Sequence, residues 1–404
     1  MIDLISECVH CGFCLPACPT YQSWGVEADS PRGRIDLMKG VAEGTLAMNA
    51  DVVEHFDRCL GCMSCMTACP SGVRYDLLIE GTRAQIETQS KRGPFARLFR
   101  ESIFAVFPYP KRLLALAPFM NLAAALGLQR FIPGGALLPK VDTRAAARGL
   151  PPVTAAKGER RARVALVEGC VQRVMFPQVN AASARVLAAE GCEVVAPDGA
   201  GCCGALSLHT GRAQEAKRFA RALIERLERE DADVVIVNVA GCGSAMKQYG
   251  ELFAGDPAWE KRAQAFAERI RDVSEFLASL EPRAPRGRID ADVAYHDACH
   301  LAHAQLIRQE PRALLCSIPG LRLKEIPNGD QCCGSAGTYN LFEPASAHEI
   351  GERKIENVRS TGASIVASGN PGCTLQMQTL LRERGVELRI VHPIELLDES
   401  IASA

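Results

Sequence analysis

The stretches CVHCGFCLPACP (8–19) and CLGCMSCMTACP (59–70) decide the reading of this chain. Each has the form CxxCxxCxxxCP: three closely spaced thiolates that wrap one corner of an iron-sulfur cubane, and a fourth, followed by proline, that reaches a second cluster. A single copy would also suit a structural zinc ion, which four thiolates bind well. Two copies with the same spacing, closed by Pro19 and Pro70, point instead to two [4Fe-4S] clusters. The crossover of the fourth ligand pairs Cys8, Cys11 and Cys14 with Cys69, and Cys59, Cys62 and Cys65 with Cys18. Metal would then tie the two halves of the domain together, so losing any of these sulfurs should cost fold as well as redox function.

The residues between the quartets read as helical. Ser30 and Pro31 form an N-cap and first-turn pair that opens a helix through Ile35, Leu37 and Met38. A second helical stretch, 51–57, runs into the second quartet, and 74–88 carries Leu77, Leu78 and Ile86 at helical spacing. The expectation is a helical ferredoxin domain over 1–92.

Residues 93–162 differ in character. Apolar runs such as IFAVF (103–107) and LLALAPFMNLAAALGL (113–128) alternate with Arg97, Arg100, Lys111 and Arg112. The longest run falls short of the ~20 apolar residues that span a bilayer, and Pro118 interrupts it, so no transmembrane helix is expected. The simpler reading is a set of packing helices between domains. The sharper one is a basic, apolar docking surface for a membrane face or a partner subunit. Residues 131–163, with Pro133, Gly134, Gly135, Pro139, Pro151 and Pro152, read as a linker.

The rest of the chain is an internal repeat, expected to occupy 163–285 and 286–404. The first copy runs from RVALVEGC (163–170) through AGCCGA (200–205) to DVVIVNVAGC (233–242); the second runs from DVAYHDAC (292–299) through DQCCGSAG (330–337) to SIVASGNPGC (364–373). In each, β-branched runs end near cysteines and amphipathic stretches follow, at 181–189, 213–227, 301–315 and 345–358. Strands alternating with helices predict parallel sheets with right-handed crossovers, and place the cysteines at the carboxyl ends of strands, facing helix N-termini. The fold class is therefore α+β multidomain: a helical two-cluster ferredoxin domain followed by a pseudo-twofold pair of α/β repeats.

The repeats offer Cys170, Cys202, Cys203 and Cys242 in one copy and Cys299, Cys332, Cys333 and Cys373 in the other. A further iron-sulfur centre, a zinc site and a vicinal thiol pair working without metal all fit this placement. Cys192 and Cys316, outside the pattern, read as buried inert cysteines. His300 and His303 follow Cys299; they are candidate ligands or hydrogen-bond donors, with an unremarkable helix-start role the simpler expectation.

Composition narrows the class. In 404 residues, 48% are hydrophobic, 23% are charged and the net charge is -1, which favours a soluble globular chain and gives nucleic acid no basic footprint. Eighteen cysteines are too sparse for a disulfide scaffold and clustered enough for metal. The N-terminus lacks a signal-peptide pattern, so a reducing cytoplasm is the expected compartment. GxGxxG after a strand, GxxxxGK[ST] and HExxH are all missing from the sequence, so neither a flavin nor a catalytic residue is expected on this chain.

The order of motifs resembles the iron-sulfur subunits of membrane-linked flavin dehydrogenases, above all those of glycolate oxidase (glycolate dehydrogenase), over nearly the whole length. The strings that carry it are CVHCGFCLPACPTYQ (8–22), SPRGRIDLMK (30–39), CPSGVRYDLL (69–78), EGC (168–170), AGCCGA (200–205) and QCCGSAGTYN (331–340). The resemblance implies that an FAD-containing subunit oxidises glycolate to glyoxylate and passes electrons through this chain toward a quinone or other membrane acceptor. It also implies a cytoplasmic location, peripheral on the inner face of the membrane, and the eight ferredoxin-motif cysteines as cluster ligands. The related iron-sulfur subunit of anaerobic glycerol-3-phosphate dehydrogenase shares the plan, so a subunit of a glycerol-3-phosphate or lactate dehydrogenase is the alternative expectation, beside a thiol-disulfide reductase working at the CCG repeats. The repeats also resemble those of the heterodisulfide reductase B subunit, whose closing CxxC contributes to a five-cysteine cluster. Here Ala245 and Gln376 stand at the matching positions after Cys242 and Cys373, a departure from that ligand set.

Overall fold

The computed structural model describes residues 2–90, 92–131 and 134–404; Pro133 of the expected linker lies outside these. The segment between the quartets is helical, as its caps require. Ser30 accepts a hydrogen bond from Gly33 N at 3.0 Å and opens α1 (Pro31–Ala42), and Asn49 caps α2 (Ala50–Asp57) in the same way. After the second quartet, α3 (Tyr75–Gln89) lays Leu78, Ile79 and Ile86 into a core shared with Ile35, Met38, Val52 and Phe56.

Two helices follow, α4 (Pro94–Val106) and α5 (Pro110–Ala125). One side of α5 is anchored, with Leu113 and Ala117 buried in the central core. The other side leaves Phe119, Leu122 and Leu126 exposed, as α4 leaves Phe95 and Leu98. Among the described residues, no helix is long and apolar enough to cross a membrane. The expected linker is more ordered than its composition suggests. It contains a short helix at Thr143–Arg148, capped by Asp142, and strand β1 (Val153–Thr154).

The repeats are built alike. The first sheet contains β2 (Ala162–Val167), β3 (Cys192–Val195), β4 (Val234–Val237) and β5 (Ile270–Asp272) in the order β1-β3-β2-β4-β5, with only the edge strand β1 antiparallel. The second contains β6 (Ala291–His296), β7 (Leu321–Glu325), β8 (Ile365–Ser368) and β9 (Arg389–Val391) in the order β7-β6-β8-β9, all parallel. Strands such as VVIV in β4 are apolar on both faces because helices cover both.

The helices between these strands complete a pseudo-twofold pair. In the first repeat they are α6 (Pro177–Ala189), α7 (Ala213–Leu227), α8 (Ala240–Lys247) and α9 (Val273–Ala278). In the second they are α10 (Gln309–Cys316), α11 (Pro344–Ser360), α12 (Pro371–Glu383) and α13 (Pro393–Ala402). Across the interface α6 packs on α13 and α9 packs on α10, so each repeat offers the same two elements to the other. One core runs through both, joining Val164, Leu166 and Ile236 to Val293 and Ala367. The terminal helices are capped alike: Asp272 with Glu275 on α9, and His392 with Glu395 on α13, each form a capping box.

Two expectations fail in the second repeat. Residues 301–315 are not one helix: a π turn (His300–Ala304) ends in a bend with Leu306 at φ 59°, and α10 starts afresh at Gln309. The Arg308 side chain holds the bend by donating to Ala302 O at 3.1 Å, which apolar periodicity alone cannot reveal. Cys316, expected buried, is exposed because it ends α10 on its outer side, whereas Cys192 on β3 is buried.

Candidate metal centres

Both quartets wrap their cysteines with the same backbone. The residue before the second cysteine has positive φ (His10 at 53°, Gly61 at 62°), and so does the residue after it (Gly12 at 86°, Met63 at 62°). Left-handed conformation costs a non-glycine residue roughly 1–2 kcal/mol, yet His10 and Met63 both adopt it. The alternation turns successive N–H groups inward to form a concave nest suited to an anionic group, and Gly61 N donates to Cys59 Sγ at 3.4 Å.

Cys18, Cys59, Cys62 and Cys65 line one small cavity with Tyr75 and Arg34. All four are buried, and burial, reinforced by neighbouring sulfurs, pushes the Cys62 and Cys65 thiols well above the ordinary range. Burial opposes ionisation of Cys59 too, but the Arg34 and Arg83 cations, the Gly61 N–H and the Tyr75 hydroxyl outweigh it and lower that thiol. Arg34 is fully buried. It donates to Asp29 O at 2.5 Å, to Thr20 Oγ1 at 3.2 Å and to His55 O at 2.6 Å. Buried thiols that ionise only with help, beside a fixed cation, suit a cluster whose four thiolates give it net negative charge. The other quartet lies nearer the surface. Cys11 is exposed, Cys8, Cys14 and Cys69 are half-buried, and Val9 and Phe13 project into solvent beside them. Burial raises the Cys14 thiol to about 11.

All eight repeat cysteines line a single central cavity of about 420 Å³ between the two sheets and the second quartet. In the first repeat Cys170 Sγ lies 3.5 Å from Cys202 Sγ, and Gly204 N donates to Cys202 Sγ at 3.3 Å. Hydrogen bonds from Cys202 and Cys242 hold the Cys203 thiol well below its usual range; Cys202 is raised first by its bond with Cys170 and then by that with Cys203, and Cys242 by its bond with Cys203. The glycine of each CCG is left-handed and pressed against the outer helix. A Cβ at Gly204 would meet Ala216 O of α7 at 3.0 Å, and one at Gly334 would collide with Ala347 O of α11. Cys242 and Cys373 lie inside the first turns of α8 and α12 rather than in the loops before them.

The second repeat also abuts the second quartet. Cys62 packs in one buried cluster with Leu60, Cys299, Cys332 and Tyr339. His300 and His303, expected to do nothing special, make the joint. His300 Nε2 donates to Gly61 O at 3.1 Å, and Thr67 Oγ1 donates to His303 Nδ1 at 2.7 Å. His303 Nε2 in turn donates to Asp330 O at 3.0 Å, which fixes its tautomer. Arg83 ties the first repeat in, donating to His209 O at 2.7 Å and also to Cys59 O. Sequence reasoning missed Arg34, Arg83, Lys354 and His296. The last could have been found by aligning RVALVEGC with DVAYHDAC, where a histidine replaces Val167.

Comparison with known proteins covers the whole arrangement. Residues 4–73 match the 4Fe-4S dicluster domain model, 95–142 match the linker region of the glycolate oxidase iron-sulfur subunit, and 164–247 and 293–378 match the cysteine-rich domain model. The probable glycolate oxidase iron-sulfur subunit of Bacillus subtilis is 37% identical, over 98% of this chain and 93% of its own length. The glycolate oxidase iron-sulfur subunit of Escherichia coli is 36% identical, over 99% and 95% respectively. Lactate utilization protein A of an Exiguobacterium species is 29% identical, over 60% of this chain and 99% of its own.

Proposed function

The chain belongs to the family of glycolate oxidase iron-sulfur subunits, and from that premise we propose that it is the electron-transfer subunit of a glycolate-oxidising complex. Glycolate is oxidised to glyoxylate on an FAD-containing partner, and electrons leave singly through this chain toward a quinone or other membrane acceptor. Bound to the two quartets, [4Fe-4S] clusters supply reversible one-electron acceptors. Cys8, Cys11, Cys14 and Cys69 hold one, and Cys18, Cys59, Cys62 and Cys65 hold the other. The repeat cysteines hold a further centre.

The observation that carries this reading is the graded burial of the sulfurs. Cys11 is exposed, so the first quartet faces a partner. Cys59, Cys62 and Cys65 are buried, and Cys62 reaches the cysteines of the second repeat. Arg34 offsets the negative charge of the inner site, and the surrounding apolar core excludes water from it. The exposed apolar side of α4 and α5, flanked by the exposed Arg97, Lys111 and Arg112, is assigned to contact with the anionic inner face of the membrane, where the acceptor lies.

The test is to purify the protein anaerobically with whatever flavoprotein accompanies it and to assay acceptor reduction with glycolate, lactate and glycerol 3-phosphate. Glycolate-dependent reduction by the complex, absent from either component alone, is the expected result. Zinc in place of iron in the quartets, or turnover of glycolate by this chain alone, would overturn the proposal.

A further inference from the structure

The two repeats share strand order and cysteine placement but differ in what surrounds the cysteines. β2 ends at Val167, three residues before Cys170, and Val167 packs in an apolar core with Cys203. β6 ends at His296, three residues before Cys299. His296 is 1% exposed, and neither of its ring nitrogens has a hydrogen-bond partner among the described residues. Leaving a buried polar group unsatisfied is costly, and an imidazole carries two such nitrogens. What lies beside it accounts for this: a His296 ring nitrogen and the sulfurs of Cys333 and Cys373 all fall within 4.8 Å of one another.

A second difference has the same sense. Ala216 of α7 and Ala347 of α11 back the two CCG glycines, and seven residues further on the first repeat has Leu223 and the second Lys354. Lys354 is 2% exposed. It is held by Asn328 O at 3.2 Å and Gly329 O at 2.9 Å; burial lowers its pKa, against the opposing pull of the Cys333, Cys332 and Cys373 sulfurs. The second site thus has an imidazole and a buried amino group where the first has two apolar side chains.

We infer that the second repeat holds an iron or zinc centre of mixed sulfur and nitrogen ligation, with His296 supplying an imidazole nitrogen beside Cys333 and Cys373. The inference rests on the reading that the repeat cysteines bind metal, and adds a ligand to it. Iron and zinc both accept imidazole together with thiolate. A neutral imidazole in place of a thiolate makes an iron centre less negative and raises its potential, which suits a site on the downstream side of the second quartet. At the position matching His296 the first repeat has Val167, whose side chain carries no ligand atom.

The test uses the full chain, prepared anaerobically with 57Fe, as wild type, His296→Ala, His296→Cys and Cys333→Ser. Mössbauer spectra count every iron whatever its spin state, elemental analysis counts zinc, and zinc-edge absorption reads its nitrogen neighbours. The expected result is a metal component beyond those of the two ferredoxin quartets. It should be lost in Cys333→Ser, altered in His296→Ala and converted to an all-sulfur spectrum in His296→Cys, with unchanged quartet components reporting an intact fold. If His296→Ala does not fold, the His296→Cys spectrum decides. A component lost in Cys333→Ser but identical in wild type and the His296 variants overturns imidazole ligation and leaves metal in the repeats. No component beyond the quartets overturns both.

Discussion

Cys62 of the second quartet and Cys299, the first cysteine of the second repeat, are packed in the same buried cluster. Burial raises the Cys62 thiol, and negative charge on the Cys299 sulfur raises it further. The sulfurs of the second quartet thus meet those of the second repeat, with His300 and His303 at the joint, while Arg83 reaches the first repeat through His209 O.

The crossover of ligands makes an asymmetric prediction. Cys18→Ala should remove the buried cluster and leave the surface-facing one, because Cys18 lines the cavity of Cys59, Cys62 and Cys65. Cys69→Ala should do the reverse. Iron analysis and electron paramagnetic resonance of the reduced protein check this; equal damage to both clusters by Cys18→Ala would count against the pairing.

Arg34 is a fully buried cation that acts on Cys59 of the inner quartet. Arg34→Met removes positive charge, which favours the oxidised cluster and lowers its potential, by on the order of 50–100 mV at an effective dielectric near 20. It also leaves the buried Asp29 with only His55 and Arg58 as charged partners, which should lower stability. A redox titration should show the shift in one cluster, and a denaturant melt should show the cost.

His392 caps α13, accepting from Ile394 N at 3.1 Å and donating to Asn238 O at 3.1 Å, and burial lowers its pKa to about 4. The unfolded chain, with an ordinary histidine, takes up a proton near pH 6.5 while the fold does not. The stabilisation from neutral His392 is thus complete above about pH 6.5 and is lost as pH falls toward 4, amounting to about 1 kcal/mol by pH 5.5. Denaturant melts at pH 7.5 and pH 5.5 should show a smaller difference for His392→Asn than for wild type.

The exposed side of α5 predicts a membrane phenotype. Phe119→Ser with Leu122→Ser should weaken flotation with anionic vesicles at least several-fold, each lost apolar side chain being worth about 1.5–3 kcal/mol when buried. The fold should be unaffected, since both residues face away from the core that holds Leu113 and Ala117.

Gly334→Ala should disable the second repeat selectively. The position is left-handed at φ 85° and a Cβ would strike Ala347 O, so the Cys332–Cys333 pair would have to move. Loss of metal assigned to that repeat, with the quartet signals kept, is the expected outcome.

Much of this was legible in the chain itself. Thiolate spacing is a local property, so CxxCxxCxxxCP announces its geometry wherever it folds. Ser30–Pro31 and the β-branched runs announced helix starts and parallel strands for the same reason. Residues 301–315 misled because their apolar spacing suits a helix, while the bend at Leu306 depends on a long Arg308 side chain reaching backward. Cys316 misled because burial at a helix end depends on which side the neighbours cover.

What the sequence determined alone is the inventory: two thiol quartets, two matched repeats, and alternating strands and helices, each set by residues close together along the chain. What only the tertiary structure decided is which sulfur meets which neighbour. Cys62 against Cys299, Arg34 behind Cys59, and His296 unpartnered beside Cys333 and Cys373 are contacts between distant segments. They arise because the pseudo-twofold packing of the sheets turns both sets of strand ends toward the ferredoxin domain, an outcome of mutual burial that no local spacing encodes.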